Sequence, residues 1–321
     1  MGMKLFKRAI QFLFVAALAA PSIAEEASSG HYSPGASASF IDVLPYEPGF
    51  AYVNQFVYYG GDVSGSTKVP IGINIASGVE ASSYADIHAL VYQSAYEILG
   101  GRYAAVAAVP FARLDIDVSG SITGPRGRTL KGGVSDRVEG LGDIYAAPFI
   151  LVWKKGDITY DTRLGIYAPT GEYDQNDLAN LGKNFWTLEP SASMCYLGSK
   201  NGIEVSTFAG VDFNTENQDT DYQSGEQAHI DATLAQHLPL GKGFAGVGAN
   251  GFYYQQINGD SGPGAKLGGF EGQTAGVGPV LSYIAKIGDH NLLLELKWLK
   301  ELETENRLEG DYVWVKAAVS F

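Results

Sequence analysis

Apolar side chains recur at every second position along stretch after stretch of this chain, and nothing else in the sequence restricts its fold so tightly. The final stretch, DYVWVKAAVSF, puts Val313, Val315, Ala317, Val319 and Phe321 on one face, with Lys316 and Ser320 on the other. Upstream, Leu292, Leu294, Leu296 and Trp298 oppose Glu295, Lys297 and Glu301. Ile203, Val205, Thr207, Ala209 and Val211 oppose Glu204, Ser206 and Asp212, while Ala228, Ile230, Ala232 and Leu234 oppose His229, Asp231 and Thr233. Ile158, Tyr160, Leu164 and Ile166 likewise oppose Asp161 and Arg163. Strands with charge on one face only stand between an apolar medium and a polar one.

The N-terminus indicates which media these are. Lys4, Lys7 and Arg8 precede the apolar run QFLFVAALAA, and the small residues Ser22 and Ala24 follow, the pattern of a secretory signal peptide cut after Ala24. That run is too short to span a bilayer as a helix, and Pro21 ends it. The longest later run, IYAAPFILVW, contains a proline and is about half the length of a spanning helix. An exported chain of this kind reaches a membrane only as a closed barrel. A composition of 41 Gly, 19 Tyr and 15 Phe with 18% charged residues fits turn-rich β structure. Without residues 1–24 the chain has 19 basic and 35 acidic side chains, a net charge of −16 that repels nucleic acid. Cys195, the single cysteine, has no partner for an internal disulfide and is read as a packing residue.

The expected fold is all-β: a transmembrane antiparallel β-barrel of about 12 strands in the outer membrane of a Gram-negative bacterium. The strands read as 50–60, 84–98, 103–118, 141–153, 158–168, 185–197, 203–214, 228–239, 244–256, 273–285, 292–302 and 311–321. The chain then divides into a signal peptide (1–24), a periplasmic arm or lumen plug (25–49) and the barrel (50–321). Short turns at 100–102, 154–157, 198–202, 239–243 and 286–291 alternate with long polar segments at 61–83, 119–140, 169–184, 215–227, 257–272 and 303–310. Short turns belong to the periplasmic side, so both chain ends lie there, with Phe321 at the inner rim. Tyr312 and Trp314 are expected at the far interface, where aromatic side chains are favoured. A soluble β-sandwich or lipocalin-type barrel would explain neither the alternating loop lengths nor the terminal Phe. That terminus resembles the signal read by the outer-membrane insertion machinery. Pro110, Pro148, Pro190 and Pro279 predict bulges on the lipid-facing parity.

No catalytic signature is present: G-x-S-x-G and H-E-x-x-H do not occur. GVGANG, at Gly246, Gly248 and Gly251, lies in a run that reads as strand throughout, without the helix a dinucleotide site needs. His31, His88, His229, His237 and His290 show no metal-ligand spacing, so neither metal nor cofactor is expected. His229 and Asp231 share a face and are expected to meet as a lumen pair. NTENQDTDY, at 214–222, lacks a calcium-loop spacing and reads as a solvated outer loop. On the inward parity, Tyr92, Phe111, Tyr145, Phe149, Tyr167, Phe208, Phe252 and Tyr254 would give an apolar guest surfaces to stack on. Arg113, Asp115, Asp117, Asp161 and Arg163 would set the polarity of that path. Ahead of the first strand, Phe40, Ile41, Val43, Leu44 and Tyr46, stiffened by Pro34, Pro45 and Pro48, are expected to fold into the lumen.

Several stretches together resemble a known family: GHYSPGASASFIDVLPYEPG, ILGGRYAAVAAVPFARLDI, EGLGDIYAAPFILVW, APTGEYD and NFWTLEPSAS. They are similar to the outer-membrane proteins grouped as the meta-pathway phenol-degradation family, over about His31 to Phe321. The resemblance implies a transporter-like barrel, similar in architecture to the long-chain fatty-acid channel, that admits hydrophobic or aromatic compounds. It carries over no catalytic residues. The resulting expectation is a non-enzymatic, monomeric channel for passive uptake, in contact with lipid bilayer and lipopolysaccharide. A general porin is the alternative, followed by an outer-membrane lipid hydrolase and a purely structural barrel. Uptake of an apolar compound against that of a sugar separates the first two, and a Ser or Asp essential for turnover would mark the hydrolase.

Overall fold

A sheet inside a bilayer has no water to satisfy its edges, so its first and last strands must find each other. In the computed structural model, which describes residues 30–71, 74–124, 126–266, 268–269, 271–288 and 290–321, they do. The signal-peptide reading of 1–24 lies outside the described residues. The strands are β1 (Gly49–Ile71), β2 (Asn74–Ile98), β3 (Gly101–Thr123), β4 (Thr129–Lys131), β5 (Val134–Leu141), β6 (Ile144–Lys155) and β7 (Ile158–Ala168). They continue as β8 (Thr187–Leu197), β9 (Ile203–Asn214), β10 (Gln227–Leu240), β11 (Gly243–Gln256), β12 (Gln273–Ile287), β13 (His290–Glu305) and β14 (Glu309–Ser320). Sequential neighbours pair antiparallel, β3 passes to β6, and β1 pairs β14 from Ala51↔Ser320 to Asp62↔Glu309. The result is a closed antiparallel barrel of twelve strands, with β4 and β5 laid against the outer end of β3. At the seam, Phe50 and Phe321 exchange backbone hydrogen bonds of 3.0 and 2.9 Å.

Two segments expected as loops are strand instead. Residues 61–71 and 74–83 extend β1 and β2 into one long hairpin, and the described part of 119–140 holds the end of β3 with β4 and β5. Their polar composition reflects a hairpin whose outer surface faces water above the bilayer. Its inner face is apolar: Val69, Ala76, Val79, Ala81, Ile116 and Val118 pack with Ala179 and Leu308.

Around β7, β9, β10 and β13 the alternation falls as the sequence indicates, with Leu294, Leu296 and Trp298 exposed and Glu295, Lys297 and Glu301 buried. The prolines sit where ladders are interrupted. At Pro148 the β6–β7 register shifts between Ala146 and Phe149. Pro110 occupies the point where β3 changes partner from β6 to β5, and its side chain turns inward, not toward lipid. A missing N–H costs least where no partner strand is in register.

Leu281, Leu296 and Val315 are register neighbours and all exposed on the outer face. Leu296→Arg should therefore destabilise the folded barrel in lipid vesicles by about 2–4 kcal/mol, read from the urea midpoint. An unchanged midpoint would mean that this face does not contact hydrocarbon.

Candidate functional site

Residues 30–48 run through the inside of the barrel, from the level of the outer loops to the inner rim. At the outer end, His31 Nε2 lies 2.9 Å from Asp143 Oδ2 and Nδ1 lies 2.7 Å from Thr187 Oγ1. The Tyr32 hydroxyl donates to Asp231, and the Tyr32 ring stacks on His229 with centroids 3.6 Å apart. Trp314 Nε1 donates to Pro34 O at 3.3 Å, and Lys297 Nζ donates to the Gly35 and Ser37 carbonyls. Lys316 Nζ reaches Ala36 O and Asp42 Oδ1, each at 2.6 Å. Further in, Phe40 N donates to Glu204 Oε1 at 2.8 Å, and Leu44 and Tyr46 pack on Ala51, Val91, Ala104, Ala147, Ile150 and Val152.

These contacts explain why the barrel interior carries buried charge. Lys297 and Lys316 share Glu295, at 3.3 and 3.4 Å, and only Asp42 from the segment brings the group to two cations and two anions. Burial opposes ionisation of Asp42, but Lys316 and Lys297 outweigh it and hold the carboxyl below its usual range.

Beside the segment lies a cavity of about 730 Å³. One wall is aliphatic and comes from β1, β2 and β3: Val53, Val57, Ala85, Ile87, Val106, Ala108 and Ala112. The opposite wall carries Tyr145, Arg163, Tyr167, Glu189 and Phe208 from β6 to β9. Arg163 is held by two 2.8 Å hydrogen bonds to Asp161, with its guanidinium over the Phe208 ring.

Of the residues expected inside, Tyr145, Arg163, Tyr167 and Phe208 line this cavity, and Asp161 is buried beneath Arg163. Phe252 and Tyr254 point inward but are packed away, Phe252 against Leu299, Tyr312 and Trp314, and Tyr254 against Tyr32 and Phe208. Tyr92, Phe111 and Phe149 instead face outward, 38%, 54% and 68% exposed. In β2 and β3 both faces are apolar, and the small residues turn in because the segment occupies the space. In β6 the Pro148 bulge flips the parity, so Tyr145 and Ile150 are inside and Phe149 is not.

Arg113, Asp115 and Asp117 are likewise on the outer face of the long hairpin, alternating with inward Leu114, Ile116 and Val118. There Asp115 pairs with Arg113 and with Arg137 of β5. Tyr312 and Trp314 are buried in the lumen rather than set at the far interface, since Trp314 donates to the segment. The expected His229–Asp231 pair does not form, because Asp231 accepts from Tyr32 and from the Gly35 and Ser37 amides.

His229 turns instead toward Glu189 and Asp212, its Nε2 3.5 Å from Glu189 Oε1 and 3.6 Å from Asp212 Oδ1. No single stretch of sequence contains this trio. The register Leu188↔Phe213 and Ser191↔Gly210 sets Glu189 of β8 opposite Asp212 of β9, and His229 of β10 pairs with Gly210. The detectable signal was glycine beside charge on the inward parity. A Cβ on Gly210 would lie 2.6 Å from the His229 ring, and one on Gly165 would lie 2.9 Å from Glu189 Oε2.

The outer anchor of the segment should respond to pH. Burial pulls His31 below its ordinary value of 6.5 despite the Asp143 carboxylate beside it. Burial also works against ionised Asp143, but hydrogen bonds from His31 and from the Gly171 and Lys183 amides outweigh it, leaving the group below its ordinary 3.8. Both shifts are downward, so each contributes stability above the ordinary value that is lost as pH falls through the folded one. The anchor is expected to hold at neutral pH and to loosen as the pH drops below 6.5, then further below 3.8. Hydrogen exchange of residues 30–48 near neutral pH and at about pH 5 checks this, and equal protection would contradict it.

No curated protein matches the chain. Among solved structures it is similar to the COG4313 outer membrane channel from Pseudomonas putida F1, at 15% identity and a TM-score of 0.58, covering 91% of this chain and 100% of that one. At this identity the likeness speaks for the fold, an outer-membrane barrel. The beta domain of the Bordetella autotransporter BrkA (13% identity, 86% and 100% covered, TM-score 0.46) is more distant. So is a Pseudomonas aeruginosa FadL homologue (10%, 94% and 99%, 0.42). A family profile matches residues 60–317, most of the barrel. The chain belongs to that family, described as "Putative MetA-pathway of phenol degradation".

Proposed function

We propose that this barrel is an outer-membrane channel for passive uptake of small hydrophobic or aromatic compounds. The observation that carries the reading is the cavity with two unlike walls beside the inner segment. Its volume is within the range that encloses a small organic molecule. Contact with the aliphatic wall favours an apolar guest by about 0.8 kcal/mol for each methylene-sized group removed from water. A sugar placed there would give up hydrogen bonds to water and find few in return. On this reading residues 30–48 are a plug that narrows the lumen, and Tyr145, Arg163, Tyr167 and Phe208 with Asp161 beneath them form the polar side of the path. Nothing in the step is covalent, so the protein is not an enzyme.

The barrel is read as a monomer, because β1 and β14 pair with each other and leave no strand edge for a second copy. Phe321, 62% exposed at the seam, is the feature the insertion machinery would bind after removal of residues 1–24. The test is uptake of a labelled alkylbenzene or phenol, and in parallel of a small sugar, in cells with and without the gene. Faster entry of the apolar compound alone is the expected result. Faster entry of the sugar alone would make the protein a general porin, and no change in either would overturn a transport role.

A further inference from the structure

The Glu189–Asp212–His229 cluster borders the path just proposed, with Glu189 in the cavity wall, and its composition and spacing call for a ligand of their own. All three side chains are buried, and one ligand atom from each lies within 4.8 Å of the other two. Neither ring nitrogen of His229 has a hydrogen-bond partner among the described residues, and the same holds for Glu189 Oε1. The other side of the Glu189 carboxylate is held by Tyr167. Arg163, a cation of the same wall, is committed to Asp161. Two carboxylates and an imidazole therefore converge in a buried wall, where the unpartnered His229 ring and Glu189 Oε1 are costly unless a cation completes them.

The donor set, together with two of the separations, points to the cation's class. Ligand atoms about 2.1 Å from a tetrahedral ion stand about 3.4 Å apart, whereas neighbouring ligands of an octahedral ion at that distance stand about 3.0 Å apart. The imidazole–carboxylate separations here are 3.5 and 3.6 Å. A nitrogen donor with two carboxylate oxygens suits zinc-like ions better than magnesium or calcium, which take oxygen donors. The Tyr32 ring lies flat on the imidazole and the Tyr167 hydroxyl steadies Glu189, the supporting contacts that orient metal ligands. We propose that Glu189 Oε1, Asp212 Oδ1 and His229 Nε2 form a site for one divalent transition-metal ion of the zinc class, tying β8, β9 and β10 together beneath the inner segment.

The test uses the full barrel, folded in detergent, titrated with CoCl₂ and ZnCl₂. Bound metal is counted by elemental analysis, and Co(II) geometry is read from visible absorption. Wild type should bind one equivalent with a tetrahedral Co(II) spectrum. His229→Gln and the isosteric Glu189→Gln should each weaken binding by about 100-fold. A gel-mobility shift on heating shows that each variant is a closed barrel, and Glu189→Gln decides the matter should His229→Gln not fold. His88→Ala, at a half-buried position away from the cluster, and His290→Ala, at an exposed one, should bind as wild type does. Absence of a stoichiometric site in wild type overturns the proposal, as does binding unaffected by both ligand variants or abolished by either surface change. Because no transport is measured, the outcome is independent of the channel reading.

Discussion

Replacing Lys316 with methionine should release residues 30–48 from the barrel wall while leaving the strands paired. Its ammonium is the meeting point of Ala36 O, Asp42 and Glu295, with its side chain fully buried. Removing one member of such a group leaves the others charged and unmatched, at a cost of roughly 3–5 kcal/mol. That cost falls on segment docking, because undocking returns Asp42 to water, whereas the ladder β13–β14 is backbone-bonded throughout. Hydrogen exchange of residues 30–48 should rise sharply while exchange in β13 and β14 stays slow. Lys297→Met should act in the same direction, and the double variant should cost less than the sum, since both lysines share Glu295 and Asp42. Unchanged protection of the segment in both single variants would remove the charge group from the account of what holds it.

Deleting residues 30–48 should convert the barrel into an open, unselective pore. A ring of twelve strands is wider than the eight whose own side chains fill the interior, and here the difference is taken up by the segment. Conductance in planar bilayers should rise by about an order of magnitude as the free cross-section opens. Sugar uptake in cells should become measurable for the same reason. If conductance does not change, the wall side chains close the lumen without help.

How much of this was legible beforehand depended on how unlike the two faces of each strand were. In β9, β10 and β13 polar and charged residues recur on the inward face, as with Glu204, Ser206 and Asp212, so a one-residue error in parity would have placed charge in lipid. In β3 the run AAVAAVPFARL offers no such penalty, since both faces are apolar there. Which face turns in is decided by Leu44 and Tyr46, distant in sequence, which leave room only for alanine and valine. Phe149 was misplaced for a local reason, the added residue at the Pro148 bulge. The lysines of β13 and β14 were correctly read as inward, but nothing on those strands told what they bind, because Asp42 and the carbonyls of 35–37 precede the barrel. The Glu189–Asp212–His229 group needed two registers at once, across three strands, and spacing along one strand has no access to that.

The seam between β1 and β14 has a consequence for assembly. Its partners, Ala51 and Ser320, lie near opposite ends of the barrel sequence, so they close the longest loop of any strand pairing in the sheet. Closing it carries the greatest entropic penalty and comes after the local hairpins have formed. Residues 30–48 lead directly into β1, so zipping of β1 onto β14 fixes the rim at which the segment enters the lumen. The lysines that hold the segment, Lys297 and Lys316, lie on β13 and β14 beside that seam, so docking of the segment and closure of the last ladder support each other.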